Sequence, residues 1–142
     1  MYYIYSLKKH LEDYPEEVIL VQKMTLNDKK PFLGMKGKYG LYGSNEWWGN
    51  MNNKTIPQKM IQGIITKVYT TGWEEFKKNT IDIMLNDKSI IVEGMYCNNN
   101  DINMYKVGKK IEIYYFSEEQ KMKRDNGKNI ILDYILDVYI ER

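Results

Sequence analysis

Ile130-Ile131-Leu132-Asp133-Tyr134-Ile135-Leu136-Asp137-Val138-Tyr139-Ile140 is the stretch that decides the fold. Its even-numbered positions are all apolar, whereas Asp133 and Asp137 fall on the odd-numbered side. A period of two residues predicts a strand with one buried face and one solvated face. Asn126-Gly127 stands just before it, and this pair favours a tight hairpin turn because both residues accept positive φ. The stretch is therefore expected to be the second strand of a hairpin.

The chain upstream of this hairpin shows further strand patterns. Ile111, Ile113 and Tyr115 alternate with polar residues and predict the first strand of the same hairpin. Asn86-Asp87-Lys88 separates two apolar runs and predicts another hairpin. The strands expected upstream of residue 120 cover residues 61–70, 80–85, 89–96 and 109–116.

Together these patterns predict a mainly β protein of the α+β class. Five antiparallel strands in residues 60–142 form either an open sheet or a small barrel similar to an OB fold, because closing the sheet would remove its exposed edges. One or two short helices are expected in the N-terminal part. Residues 1–142 are expected to form a single domain, since their number suits one hydrophobic core.

Residues 1–25 are expected to hold a helix and a strand. Leu7, Leu11 and Tyr14 have the spacing of one helix face, with Ser6 as N-cap and Pro15 after the end. Residues 18–21 are apolar and rich in β-branched side chains, which predicts a buried strand.

Residues 26–59 are expected to be irregular, with one short helix. Glycine recurs at every third position from Gly34 to Gly43, and such a run disfavours a regular helix or strand. Ser44 or Asn45 then predicts the N-cap of a helix of one or two turns, in which Trp47 and Met51 share a face.

Composition excludes several classes of protein. Cys97 is the single cysteine and His10 the single histidine, so neither an intrachain disulfide nor a cysteine-based metal site is expected. The N-terminal residues lack the pattern of a signal peptide, and no apolar run approaches the length of a membrane helix. The protein is therefore expected to be cytoplasmic, without a membrane contact. The absence of catalytic motifs and of phosphate-binding loops predicts a protein without a cofactor or enzymatic activity.

A segment rich in lysine, glycine and aromatic residues is the candidate binding site. Lysines can neutralise phosphates while aromatic rings stack on bases, and Trp and Tyr are also frequent anchors of protein interfaces. The segment thus fits either a protein partner or single-stranded nucleic acid, and an enzyme with an unrecognised pair of carboxylates is a further alternative. The candidate residues are Lys29, Lys30, Phe32, Lys36, Lys38, Tyr39, Tyr42, Glu46, Trp47 and Trp48.

The sequence also resembles a group of small uncharacterised bacterial proteins. The resemblance rests on three segments, which are Gly40-Leu41-Tyr42-Gly43-Ser44-Asn45-Glu46-Trp47-Trp48, Ile56-Pro57 and Gly63-Ile64-Ile65-Thr66-Lys67-Val68-Tyr69. Some of these proteins are found among candidate immunity proteins of toxin systems. The resemblance implies a small binding protein that acts as an immunity or inhibitor protein through protein–protein contact.

Overall fold

The computed structural model describes residues 1–72 and 77–142. Its described part divides into two compact units. The first unit contains residues 1–9, 60–114 and 136–142, and the second contains residues 10–59 and 115–135.

Six strands, three α-helices and one 3₁₀ turn make up the described secondary structure. The strands are β1 (Tyr2–Ser6), β2 (Gln58–Tyr69), β3 (Thr80–Leu85), β4 (Ile90–Gly94), β5 (Lys110–Lys123) and β6 (Asn129–Ile140). The helices are α1 (Leu7–Asp13), α2 (Pro15–Leu26) and α3 (Asn45–Asn52), and the 3₁₀ turn covers Ile102–Met104.

The strands form one sheet in the order β1-β6-β5-β2-β3-β4. The pairs β1–β6, β2–β3 and β3–β4 are antiparallel. The α+β, mainly β prediction is therefore confirmed. The sheet is open, with β1 and β4 at its two edges, so the barrel alternative is wrong. Strand β1, which was not predicted, brings the number of described strands to six. A strand of five residues shows too little alternation to be recognised from the sequence.

The core of the first unit is mostly aliphatic, with Tyr5 and Tyr105 as its buried aromatic residues among those described. Ile65 on β2, Ile81 and Ile83 on β3 and Ile140 on β6 have no exposed surface. Ile111 and Ile113, the two isoleucines that alternate in β5, are each 1% exposed. Burying such side chains is worth about 1.5–3 kcal/mol each. The alternation seen in the sequence therefore marks the buried face of the sheet here.

The core of the second unit is built around aromatic residues. Trp47 of α3 and Ile56 are fully buried, and Phe116 of β5 is 1% exposed. The Phe116 ring meets Trp47 edge-on at 5.3 Å and lies nearly parallel to Tyr134 of β6 at 5.4 Å between ring centres. These arrangements suit the charge distribution of aromatic rings. Helix α3 thus packs against strand β5.

Two local predictions differ from the structure. Residues 18–21, interpreted as a strand, lie in α2. The Asn126-Gly127 turn forms where it was predicted, but only Gly127 has positive φ, at 79°. The side chain of Asn126 instead accepts a hydrogen bond from the Lys128 backbone N–H at 3.0 Å. That side-chain bond stabilises the turn without a left-handed asparagine.

Candidate functional site

Helix α2 packs against the glycine-rich segment. Gly34 has φ of 91°, and a Cβ there would lie 2.7 Å from Cγ of Met24. A Cβ at Gly43, where φ is 74°, would lie 3.0 Å from Cγ1 of Val18. The helix therefore approaches the backbone of this segment directly at these two glycines. Gln22 adds a hydrogen bond from its side-chain amide to the Tyr42 carbonyl at 2.8 Å.

Trp47, a predicted binding residue, is a core residue of the second unit. Ser44 caps α3 by accepting a hydrogen bond from the Trp47 backbone N–H at 3.2 Å, which confirms the predicted cap. The indole N–H of Trp47 donates to Oε2 of Glu118 at 2.8 Å. Because its side chain is wholly buried, Trp47 is unavailable to a ligand at the surface.

Glu118 is a buried carboxyl group that the sequence did not single out. Its side chain is 1% exposed, and among the described residues its Oε1 atom has no hydrogen-bond partner. Burial raises the pKa of Glu118, whereas the bond from Trp47 acts in the opposite direction. The group stabilises the position of Trp47, at the cost of placing an acid in an apolar environment.

The other nine predicted residues divide into two groups. Lys36 is held by the partly buried Glu119 carboxylate at 3.6 Å and by the Asn129 side chain at 3.2 Å. The exposed members are Lys29, Lys30, Phe32, Lys36, Lys38 and Glu46. The half-buried members are Tyr39, Tyr42 and Trp48. The structure therefore presents the lysines of the segment together with Phe32, and it holds the remaining aromatic residues partly inside.

The outer face of α2 is the surface that the sequence analysis missed. None of the residues of α2 is buried. Val18 and Thr25 lie against the glycine-rich segment, whereas Ile19 is 51% exposed and Leu20 and Leu26 are each 64% exposed. A helix that is apolar on both sides belongs between two layers of protein, and here only one layer is present among the described residues. We call Ile19, Leu20, Lys23, Leu26 and Phe32, which follows the helix in the chain, the outer α2 surface.

A shallow hollow adjoins this surface. It has a volume of about 330 Å³ and is lined by Leu20, Val21, Met24, Gly34, Met35, Gln120 and Tyr134. Phe32 is 69% exposed and Leu33 49% exposed. Exposed apolar area next to a hollow of this kind is typical of protein contact sites.

The C-terminal end of α2 is held by a lysine from β5. The ammonium group of Lys121 donates to the carbonyls of Met24 at 2.6 Å, Asn27 at 3.3 Å and Lys30 at 3.4 Å. A cation at this end offsets the unpaired carbonyls and the negative end of the helix dipole. The helix that carries the exposed apolar residues is therefore fixed at its end.

Charge is distributed unevenly along the outer α2 surface. Glu16 and Glu17 lie in the first turn of α2, and Lys23 lies in its last turn. Lys29 and Lys30 follow the helix and are exposed. The C-terminal end of the surface is therefore basic, which would favour an acidic region on any partner.

The sequence contains signals for the helix α2, but the apolar run of residues 18–21 favours a strand more strongly. Pro15 occupies the first helical position, where its fixed φ suits a helix start. Glu16 and Glu17 at the start and Lys23 near the end match the polarity of the helix dipole. What no sequence pattern shows is that the outer face of this helix stays uncovered.

Two properties of the described residues limit the kinds of site. Within residues 1–72 and 77–142, no group of three or more histidine, cysteine, aspartate or glutamate side chains is placed to hold a metal ion. None of the described helices has the length and apolarity needed to cross a membrane.

The fold and the outer α2 surface define a small α+β protein that presents an exposed apolar helix face. Residues 1–140 match the model of the family described as Immunity protein RhsI2. The chain therefore belongs to this family and is an immunity protein that acts by protein–protein contact. No curated protein matches the chain.

Proposed function

We propose that this protein neutralises its toxin by covering it with the outer α2 surface. The observation that carries the proposal is the apolar outer face of α2, where Ile19, Leu20 and Leu26 each expose half or more of their surface. Membership of an immunity protein family supplies the kind of partner, which is a protein toxin. The action needs no catalysis or cofactor, because occupancy of the toxin is sufficient to inhibit it.

The apolar residues are expected to provide most of the affinity. Transfer of apolar area out of water contributes about 25 cal/mol per Å². In protein interfaces a few central residues dominate the binding free energy, and truncating such a residue costs about 2 kcal/mol or more. Leu20 and Phe32 are the expected central residues, because Leu20 also lines the hollow and Phe32 is the most exposed aromatic residue of the segment.

The basic end of the surface is expected to guide the toxin into place. Lys23, Lys29 and Lys30 would face an acidic region of the toxin, and opposite charges increase the rate of encounter at low ionic strength. We place this encounter in the cytoplasm, since Cys97 is the only cysteine of the chain and its fold has no disulfide.

The test uses the toxin that kills cells lacking this protein and spares cells that express it. Leu20→Glu is expected to weaken the complex at least tenfold by isothermal titration calorimetry and to abolish protection in a growth assay. Ile131→Glu is the matched control, because Ile131 is 58% exposed on β6 and does not belong to the outer α2 surface. Circular dichroism would show that both variants keep the fold.

The result that would overturn the proposal is equally specific. If Leu20→Glu and Phe32→Ala bind the toxin as tightly as the unmodified protein, the contact lies elsewhere. A loss of binding in Ile131→Glu with none in Leu20→Glu would move it to the β6 side of the second unit.

Nucleic-acid binding has less support than toxin binding. Of the two tryptophans in the candidate segment, Trp47 is fully buried and cannot stack on a base. Phe32, Lys29 and Lys30 are exposed and would have to provide the contact. A fluorescent single-stranded oligonucleotide that binds at low salt and is released as salt rises would favour this alternative.

A further inference from the structure

Strand β4 forms one edge of the sheet in the first unit. It is the last strand in the sheet order, and among residues 1–72 and 77–142 its strand partner is β3. The Leu85 N–H donates to the Ser89 carbonyl at 2.9 Å, which marks these two residues as a hydrogen-bonded pair. Because such pairs alternate along an antiparallel ladder, Ile91 also bonds toward β3. The backbone groups of Ile90 and Val92 therefore point away from the sheet.

This edge lacks several of the usual features that prevent pairing with another chain, although the strand is short and carries the charged Glu93. Its residues, Ile90–Gly94, contain no proline or lysine, and their register with β3 is regular. Ile90 is 50% exposed and Val92 is 60% exposed. Natural edge strands usually carry a bulge, a proline or an outward lysine instead.

Strand β1, at the opposite edge of the sheet, has features that hinder pairing with another chain. The register of β1 shifts between Tyr3 and Tyr5, which marks a bulge or irregularity. The carbonyl of Ile4 accepts a hydrogen bond from the Asn98 N–H at 3.1 Å. The side chain of Asn98 also accepts from the Ser6 N–H at 2.6 Å. The backbone of β1 is thus partly covered, in contrast to β4.

We propose that β4 is a self-association edge, through which two copies of the chain pair antiparallel around Ile91. If a twofold axis normal to the sheet relates the two copies, each side chain stays on its own face of the sheet. Two residues paired across this axis must then both have even numbers or both have odd numbers. Pairing Ile90 with Val92 of the second copy, and Val92 with its Ile90, joins all the outward groups of these residues in four hydrogen bonds. Every cross-strand pair at the centre is then apolar, which favours this register.

A second copy fits the edge because the strand is complementary to itself in this register. On one sheet face, Ile90 and Val92 of both copies form a single cluster. Met84 pairs with Ile90 and with Ile64 in the ladder, so this cluster continues an apolar row already present on that face. Pairing through five residues buries far less than the roughly 1,200 Å² of a stable interface. The dimer is therefore weak, reversible and dependent on concentration.

The first experiment measures association of the full chain by sedimentation velocity from micromolar to millimolar concentration. The unmodified protein shifts from monomer to dimer as concentration rises, and Ile90→Lys stays monomeric. Ile19→Lys is the matched control: Ile19 is 51% exposed on α2, and its replacement leaves the dimer unchanged. A protein that is monomeric throughout the series overturns the proposal, as does an Ile90→Lys variant that still dimerises.

The second experiment tests the register, with Cys97→Ser removing the native thiol. Across the twofold axis the two Ile91 residues form a non-hydrogen-bonded pair, whose Cα atoms lie about 4.5 Å apart. That distance lies within the range of disulfides. Under mild oxidation Ile91→Cys is expected to cross-link to a dimer much faster than Val92→Cys, because Val92 faces Ile90 of the other copy. Equal rates would overturn this register.

Self-association through β4 and toxin binding through the outer α2 surface can be tested separately. The proposal for β4 does not rest on the proposed function. Ile90→Lys is expected to lose the dimer and keep toxin binding, and Ile19→Lys is expected to do the opposite.

Discussion

The indole N–H of Trp47 donates a 2.8 Å hydrogen bond to Oε2 of Glu118 within the core of the second unit. Both side chains are essentially inaccessible to water, and they join helix α3 to strand β5. The bond gives the buried acid a partner for one oxygen only. Stability near neutral pH is therefore expected to depend on the protonation of a group that lies far from solvent.

The first prediction concerns the pH dependence of unfolding. Burial raises the pKa of Glu118 above the ordinary value of 4.5, so the folded state binds more protons than the unfolded state at pH values above 4.5. This contribution to stability is fully present below pH 4.5 and is lost as pH rises through the folded pKa. Glu118→Gln is expected to flatten this part of the profile of urea midpoints measured from pH 2 to pH 8.

A second carboxyl group provides a control of opposite sign. The bond from Lys59, with a further bond from Ser117, lowers the pKa of Asp133. Its contribution is present at neutral pH and is lost as pH falls through the folded pKa. Lys59 is 56% exposed, so the pair is worth only about 0.2–1 kcal/mol. Asp133→Asn should thus slightly lower stability at neutral pH and remove the fall in stability on the acid side of the profile. An identical change in the shape of the profile for both variants would contradict the assignment.

The second prediction concerns the hydrogen bond itself. Trp47→Phe removes the donor and leaves both oxygens of a buried carboxyl group unpaired, which costs about 1–3 kcal/mol in addition to the lost packing. In the double variant Trp47→Phe with Glu118→Leu, no polar group remains without a partner. The double variant is therefore expected to be more stable toward urea than Trp47→Phe alone. Additive effects of the two changes would show that the residues are not coupled.

The sequence predicts the sheet well because strand alternation responds to a local rule. Leu136, Val138 and Ile140 are buried alternately, as their pattern indicates. The position of the turn at Gly127 follows from glycine chemistry in the same way. These features need no knowledge of distant parts of the chain.

The candidate site could be predicted only in part because exposure depends on contacts between distant segments. Lys29, Lys30 and Phe32 are exposed, whereas Trp47 is buried against Phe116 of β5. Helix α2 was missed because β-branched residues also occur in helices that tertiary packing stabilises. The exposure of the outer face of α2 depends on how all the described parts of the chain pack, so no local pattern predicts it.

The third prediction tests the packing of α2 against the glycine-rich segment. Gly34→Ala introduces a Cβ that would lie 2.7 Å from Met24 and also strains a backbone with φ of 91°. Gly127→Ala is the matched control, because φ is 79° there and a Cβ meets nothing within 4 Å. The strain alone costs about 1–2 kcal/mol. Gly34→Ala is expected to lose more than Gly127→Ala in urea denaturation and, unlike the control, to weaken toxin binding.

The fourth prediction concerns the basic end of the outer α2 surface. Lys29→Glu with Lys30→Glu reverses two exposed charges and is expected to slow association with the toxin about tenfold at low ionic strength, because steering depends on complementary charge. Salt screens such charges within about 10 Å at 0.1 M, so the difference from the unmodified protein should shrink as salt is added. The dissociation rate, which depends mainly on Leu20 and Phe32, should change little. Stopped-flow fluorescence over a salt series measures both rates, with Lys106→Glu, a single exposed lysine of the first unit, as the control. An association rate that does not respond to either the charge reversal or salt would show that the toxin does not approach this end of the surface.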